Sequence, residues 1–184
     1  MSLSVQTIES APEKSAAILK EVGAKFGFVP NLMGVFANSP EALQGYLTLS
    51  ALVDQTSLSP AERQIVLLGV SESNSCDYCM AAHTTIASMQ RIDPAVVQAV
   101  RSDSPIADTK LEALRLFTKS VVEKRGYVSE EEKDAFLAAG YTGQNILEVI
   151  LGVAMKTLSN YTNHIAGTPL DNAFEPAKWH KAAA

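Results

Sequence analysis

A chain of 184 residues uses cysteine only twice, and both stand in "CDYCMAAH", as Cys76 and Cys79, with His83 four residues beyond the second. Thiols at that separation can close a disulfide, hold a metal or share an active site, and an imidazole beside them can carry protons. Their redox chemistry forms a short cycle. A thiolate attacks an O–O bond, a sulfenic acid forms, the second thiol condenses with it, and a dithiol reductant resets the pair. Either cysteine alone would read as a small buried side chain. The confinement of both to one motif favours the redox reading.

These residues become one site if a helix carries them. Asn74 or Ser75 can cap a helix whose first turn begins at Cys76, and the alanines and methionines that follow sustain it, giving a redox helix over about 75–90. At about 100° per residue, Cys76, Cys79 and His83 fall at roughly 0°, 300° and 340° and share a face. The positive end of the helix favours a thiolate in the first turn, which points to Cys76, the nearer and more exposed of the two. His83 points the other way. It lies one turn from Cys79 and about 10 Å of helix rise from Cys76, so as base or cationic neighbour it serves Cys79. The residues alone leave the attacking sulfur open.

The elements that must position this helix are themselves helical. Apolar positions recur three and four apart in "APEKSAAILKEVGAKFG", with Gly27 as its stop, and "SPEALQGYLTLSALVD" and "SPAERQIVLLGVSE" each open on Ser then Pro, a cap followed by a first turn. Similar signals mark "DPAVVQAVRS", "DTKLEALRLFTKSVVEKRG" and "SEEEKDAFLAAG", where Gly126 and Gly140 are exits, and a longer helix runs from Thr142 to near Gly167. No run of period-two strands, flexible linker or low-complexity tract interrupts them. We expect an all-α fold, one domain over 1–184, of about eight helices.

Composition narrows the function. With 47% hydrophobic and 19% charged residues the chain is ordinary globular protein, and its net charge of −5, with scattered Lys and Arg, offers nucleic acid no positive face. The apolar runs "IVLLGV" and "VILGVAM" are too short to cross a membrane, and "MSLSVQTIESAPEKSA" lacks the pattern of a signal peptide. A cytoplasmic protein is expected. In that reducing compartment a close cysteine pair is more often catalytic or metal-binding than a permanent staple.

"CDYCMAAH" resembles the Cys-x-x-Cys-x-x-x-His signature of alkylhydroperoxidase D-like proteins in the carboxymuconolactone decarboxylase superfamily. "FGFVPNLMGVFANSPEAL" and "NYTNHIAGTPLDNAF" are similar to its peroxidase-related branch, so the resemblance spans nearly the whole chain. It implies an all-helical fold that assembles as a homo-oligomer, trimer or hexamer, and reduction of hydroperoxides without a cofactor. It also implies roles: Cys79 attacks the peroxide, and Cys76 resolves the sulfenic acid into a disulfide. A lipoyl domain or a thioredoxin-like protein could serve as the dithiol reductant.

The family's proton relay has a glutamate twelve residues before the first cysteine, and that position here is Gln64. An amide can orient a partner but cannot take its proton. Glu62, pointing about 200° away on a regular helix, is a poor substitute. Glu72 is the better local candidate to support His83, with Glu148 or His164 of the last long helix as groups that could approach in space. Tyr78 stands where the family often has a second histidine, and it can hydrogen-bond near the site.

Rival readings remain. Two cysteines and His83 could hold zinc if His164 or His180 completed the set, though a helical Cys-x-x-Cys without a second pair is an unusual zinc grip. Haem attachment would need histidine where Met80 stands. The decarboxylase chemistry that names the superfamily has no use for a redox dithiol. The alternative function is a redox-sensing or metal-binding protein of the same fold with little peroxidase activity. An apolar pocket around the thiolate would favour organic hydroperoxides over hydrogen peroxide.

Overall fold

Side chains at the helix starts do what their types predict. Ser39 accepts from the Ala42 N–H to open α3 (Pro40–Asp54), and Ser59 and Glu62 exchange bonds in a capping box at the head of α4 (Pro60–Ser73). Asp93 caps α6 (Pro94–Arg101), Asp108 caps α7 (Thr109–Glu123), and Ser129 and Thr142 head α8 (Glu130–Ala138) and α9 (Gly143–Ala166) with capping boxes. α1 (Glu13–Phe26) ends on Gly27 and α9 on Gly167, both left-handed. The computed structural model describes residues 3–181, which hold nine α-helices, a 3-10 turn at Asn172–Ala177 and no strand. The all-α expectation is borne out, with eight helices of seven residues or more. None of the helices among the described residues is long and apolar enough to cross a membrane.

Two elements escape the sequence pattern. α2 (Asn31–Phe36) is a six-residue helix, too short to show a period, whose residues from Leu32 onward are all buried. The 3-10 turn near the C-terminus places Phe174 edge-on against Tyr78, with ring centroids 5.9 Å apart.

The redox helix, α5 (Asp77–Met89), starts later than expected. Asn74 is the last residue of the α4 cap, and Ser75 takes a left-handed φ of 55°. Its N–H bonds the Glu72 carbonyl and the Cys76 N–H bonds the Ser71 carbonyl, each at 2.9 Å, so both residues are used in closing α4 and neither can cap α5. Cys76 becomes the N-cap, and its carbonyl accepts the Met80 N–H at 3.0 Å.

Two hydrophobic cores flank the central pair α4 and α9. One gathers Ile65, Leu68, Phe117, Phe136, Tyr141 and Val149 from α4 and the α6–α9 side. The other gathers Leu19, Leu32, Phe36, Tyr46, Met155 and Phe174, and it contains both cysteines. α4 and α9 touch at Gly152, where an added Cβ would sit 2.7 Å from Val66 Cγ1. The backbones come this close because the residue has no side chain.

Candidate active site

The cap position of Cys76 and the third helical position of Cys79 bring both side chains to the positively polarised start of α5, with the two cysteines 3.5 Å apart. Both are unbridged and 1% exposed. The expectation that Cys76 is the more exposed is therefore corrected, because α2 and the 3-10 turn cover the start of α5. Tyr78 anchors that cover: its hydroxyl donates to Asp171 at 2.5 Å and accepts from the Leu32 N–H at 3.2 Å. It serves the structure around the site and makes no bond to the sulfurs.

α9 supplies what the sequence reading missed. Asn163 Nδ2 lies 3.3 Å from the Cys79 sulfur and 3.8 Å from that of Cys76, and Ser159 Oγ is 3.8 Å from Cys79. Lys156, also on this face, is fully buried, and among the described residues no oxygen or nitrogen accepts from its Nζ. The signal was present in spacing: Asn145, Val149, Gly152, Lys156, Ser159 and Asn163 recur four and three apart and are all buried. A lysine inside that stripe must point inward.

Electrostatics separate the two sulfurs. Burial opposes the charge of a Cys79 thiolate, but S–H donation from Cys76, the Lys156 charge and the Ser159 hydroxyl outweigh it and hold the thiol well below its ordinary range. Cys76 is pushed up, first by donating its hydrogen to Cys79, then by burial. Within the pair the charge is favoured on Cys79 and the proton on Cys76.

His83 stands in the same interior. Burial first, and then the Lys156 charge, keep its pKa well below the usual imidazole value, so the ring is neutral and not the cationic neighbour considered above. Its Nδ1 is 3.0 Å from Gln64 Oε1, while Gln64 Nε2 donates toward Gln90 Oε1 at 3.4 Å. A carbonyl oxygen only accepts, so Nδ1 carries the ring proton and Nε2 is left with its lone pair. Gln64 thus orients His83, as an amide can.

The carboxylates proposed to support His83 lie elsewhere. Glu72 pairs with Lys181 at 2.8 Å, and Glu148 holds the Ser57 N–H and hydroxyl at 2.8 Å each. Glu62 is committed to its cap and to Tyr141. His164 is exposed beside the Tyr161 ring, and His180 pairs on the surface with Asp77, so neither joins the two cysteines as a zinc ligand. No group of three or more His, Cys, Asp or Glu able to hold a metal occurs among the described residues.

Residues 40–119 match the carboxymuconolactone decarboxylase family. None of the curated proteins compared with the chain matches it. Among solved structures, a peroxidase-related protein of Ralstonia eutropha JMP134, described as an alkylhydroperoxidase core, superposes with a TM-score of 0.79 at 24% identity over 92% of each chain. A peroxidase-related protein of Silicibacter sp. TM1040 gives 0.76 at 16% identity, covering 95% of this chain and 92% of the other. The debrominase Bmp8, as a cysteine-to-alanine variant in complex with 2,3,4-tribromopyrrole, gives 0.79 at 15%, covering 95% and 94%. The chain therefore has the alkylhydroperoxidase D-like fold, and its residues 40–119 match the carboxymuconolactone decarboxylase family, as the motif led us to expect.

Proposed function

We propose that the protein is a thiol-dependent peroxidase that reduces organic hydroperoxides through a Cys79–Cys76 dithiol cycle. The observation that carries this is the arrangement of the pair: two unbridged sulfurs at the start of α5, with the cysteines 3.5 Å apart and Ser159 and Asn163 of α9 reaching the Cys79 sulfur. The Cys79 thiolate attacks the outer peroxide oxygen, the O–O bond breaks, and the alcohol leaves with one proton. Cys76 then displaces water from the Cys79 sulfenic acid, and the disulfide forms. An external dithiol, on a lipoyl domain or a thioredoxin-like protein, returns two electrons and two protons. The cycle suits a reducing cytosol.

The surroundings support an organic substrate. Leu32, Phe36, Tyr46, Met155 and Phe174 pack in the core that holds the sulfurs, and apolar walls favour an alkyl group over a second hydrogen. Because both sulfurs are buried, parting of this cover is a required step of turnover. Exposed Leu147, Ile150, Tyr161 and Ile165 on α9 support the homo-oligomer, trimer or hexamer, which sizing by light scattering would test.

Reduced protein mixed with one equivalent of cumene hydroperoxide and followed by mass spectrometry tests the assignment. Wild type should lose two hydrogens, Cys76→Ser should trap a sulfenic acid, and Cys79→Ser should not react. Reaction in Cys79→Ser at the wild-type rate would reverse the roles. Slow oxidation without turnover on adding a dithiol would favour the redox sensor, and zinc in the purified protein the metal-binding alternative.

The debrominase neighbour favours a second reading, reductive dehalogenation. In this chemistry the Cys79 thiolate takes a halogen from carbon while a proton takes its place, and Cys76 then displaces halide to form the same disulfide. Bromide release from 2,3,4-tribromopyrrole, with no reaction toward hydroperoxide, would select it.

A further inference from the structure

We propose that Lys156 is the acid that protonates the oxygen leaving the hydroperoxide, and that it stays neutral for as long as the disulfide lasts. The inference rests on the peroxidase reading and adds a catalytic residue to it. Lys156 is fully buried on the face of α9 from which Ser159 and Asn163 reach the Cys79 sulfur, and among the described residues no oxygen or nitrogen, a carboxylate included, pairs with its Nζ. The titratable groups whose charge it meets are Cys76, Cys79 and His83 of α5, and Tyr46 of α3 in turn meets the charge of Cys79.

In the reduced site the ammonium and the Cys79 thiolate offset each other. A disulfide is neutral, so an ammonium left beside it would be a buried, uncompensated charge, which a protein interior strongly disfavours. Oxidation by hydroperoxide needs a proton at the same place. When the thiolate displaces alkoxide from the O–O bond, that alkoxide must be protonated, and the candidates around the sulfurs are few. His83 is neutral and its one N–H points to Gln64. Burial pushes the Tyr46 phenol up, making it a poorer acid. The Cys76 proton is spent in the next step, when water leaves the sulfenic acid. Lys156 supplies the remaining one.

The balance is complete without solvent. Hydroperoxide, Cys79 thiolate, Cys76 thiol and Lys156 ammonium become alcohol, water, a disulfide and a neutral Lys156 amine. Two electrons pass from sulfur to oxygen. Both end states then have no net charge at the site.

Two measurements test this. In the first, Lys156→Met and Lys156→Arg are oxidised in single turnover by cumene hydroperoxide and by peroxyacetic acid, whose carboxylate leaves without needing a proton. Arginine keeps a positive charge but does not give up its proton. Both variants should lose about 10²-fold with the alkyl hydroperoxide, and Lys156→Arg should lose little with the peroxy acid. Equal loss with both oxidants, or no loss, would overturn the assignment while leaving the peroxidase reading intact. The second uses wild type alone, mixed with cumene hydroperoxide in weak buffer with a pH dye. No net proton should be taken from solution per disulfide formed. Uptake of one proton per disulfide would show that Lys156 stays charged and would overturn the proposal. Failure of wild type to form a disulfide with either oxidant would remove the peroxidase reading and this inference with it.

Discussion

The two cores on either side of α4 and α9 treat buried charge in opposite ways. On the α7 side, the ionic groups that approach the interior are matched: Arg115 lies 2.7 Å from both Glu112 and Asp103, and Glu62 accepts from the Ser59 N–H and the Tyr141 hydroxyl. Stacked Phe117, Phe136 and Tyr141 fill the rest, with centroids 4.2 and 4.4 Å apart. On the α5 side, among the described residues, no carboxylate pairs with Lys156, and Asn160 Nδ2 and Asn163 Oδ1 are also unpartnered. A buried polar atom without a partner costs about 1–3 kcal/mol. The first core leaves the Thr118 hydroxyl unpartnered but no charge, whereas the second holds a buried ammonium whose compensating group is a sulfur.

The contrast can be broken by exchanging its terms. Val149 and Lys156 lie on the same face of α9, and both are 0% exposed. Val149→Lys places an ammonium where no thiolate meets it and should cost about 3–5 kcal/mol in urea unfolding. Lys156→Met should leave the reduced protein as stable as wild type or more so, since Cys79 can then remain a neutral thiol. If Lys156→Met unfolded the protein as badly as Val149→Lys, Lys156 would be a structural residue.

Smaller effects sharpen the division. His83→Ala should slow disulfide closure by about 10²-fold, through loss of an Nε2 lone pair that can relay the Cys76 proton to the departing water, with urea unfolding little changed. Gly152→Ala drives a methyl into Val66 at the seam of the two cores and should cost about 1–3 kcal/mol, lowering stability and activity together. Gln64→Leu leaves the His83 ring in place but removes the acceptor that fixes its tautomer. It should lower the rate by about tenfold without the stability loss of Gly152→Ala. Equal effects on both observables from every variant would dissolve the distinction between the cores.

Much of the scaffold was legible because its signals are local. Ser59 with Glu62, Asp93 with Pro94, and Gly167 after a long periodic run each settle a helix end within a few residues. The same locality misled at Cys76. Asn74 and Ser75 are good cap types, but the exit of α4 claimed them first, a competition decided by backbone geometry. Glu72 was assigned to the nearest imidazole because its partner, Lys181, is over a hundred residues away in sequence. Lys156 was legible in principle, through its place on a buried four-three stripe. A lysine ordinarily lies on the surface, and that habit hid it.

The central claim is that reduced Cys79 is a thiolate at neutral pH, held there by the Cys76 S–H and by Lys156. A depressed thiol pKa means that the anion is present above that value and lost only as the pH falls through it. Ultraviolet thiolate absorbance of the reduced protein, titrated from neutral into acid, reads this directly. The account predicts one thiolate at neutral pH that disappears only at acid pH, is absent from Cys79→Ser, and appears at higher pH in Lys156→Met. A reduced wild type with no thiolate until about pH 8.5, the ordinary cysteine value, would contradict it.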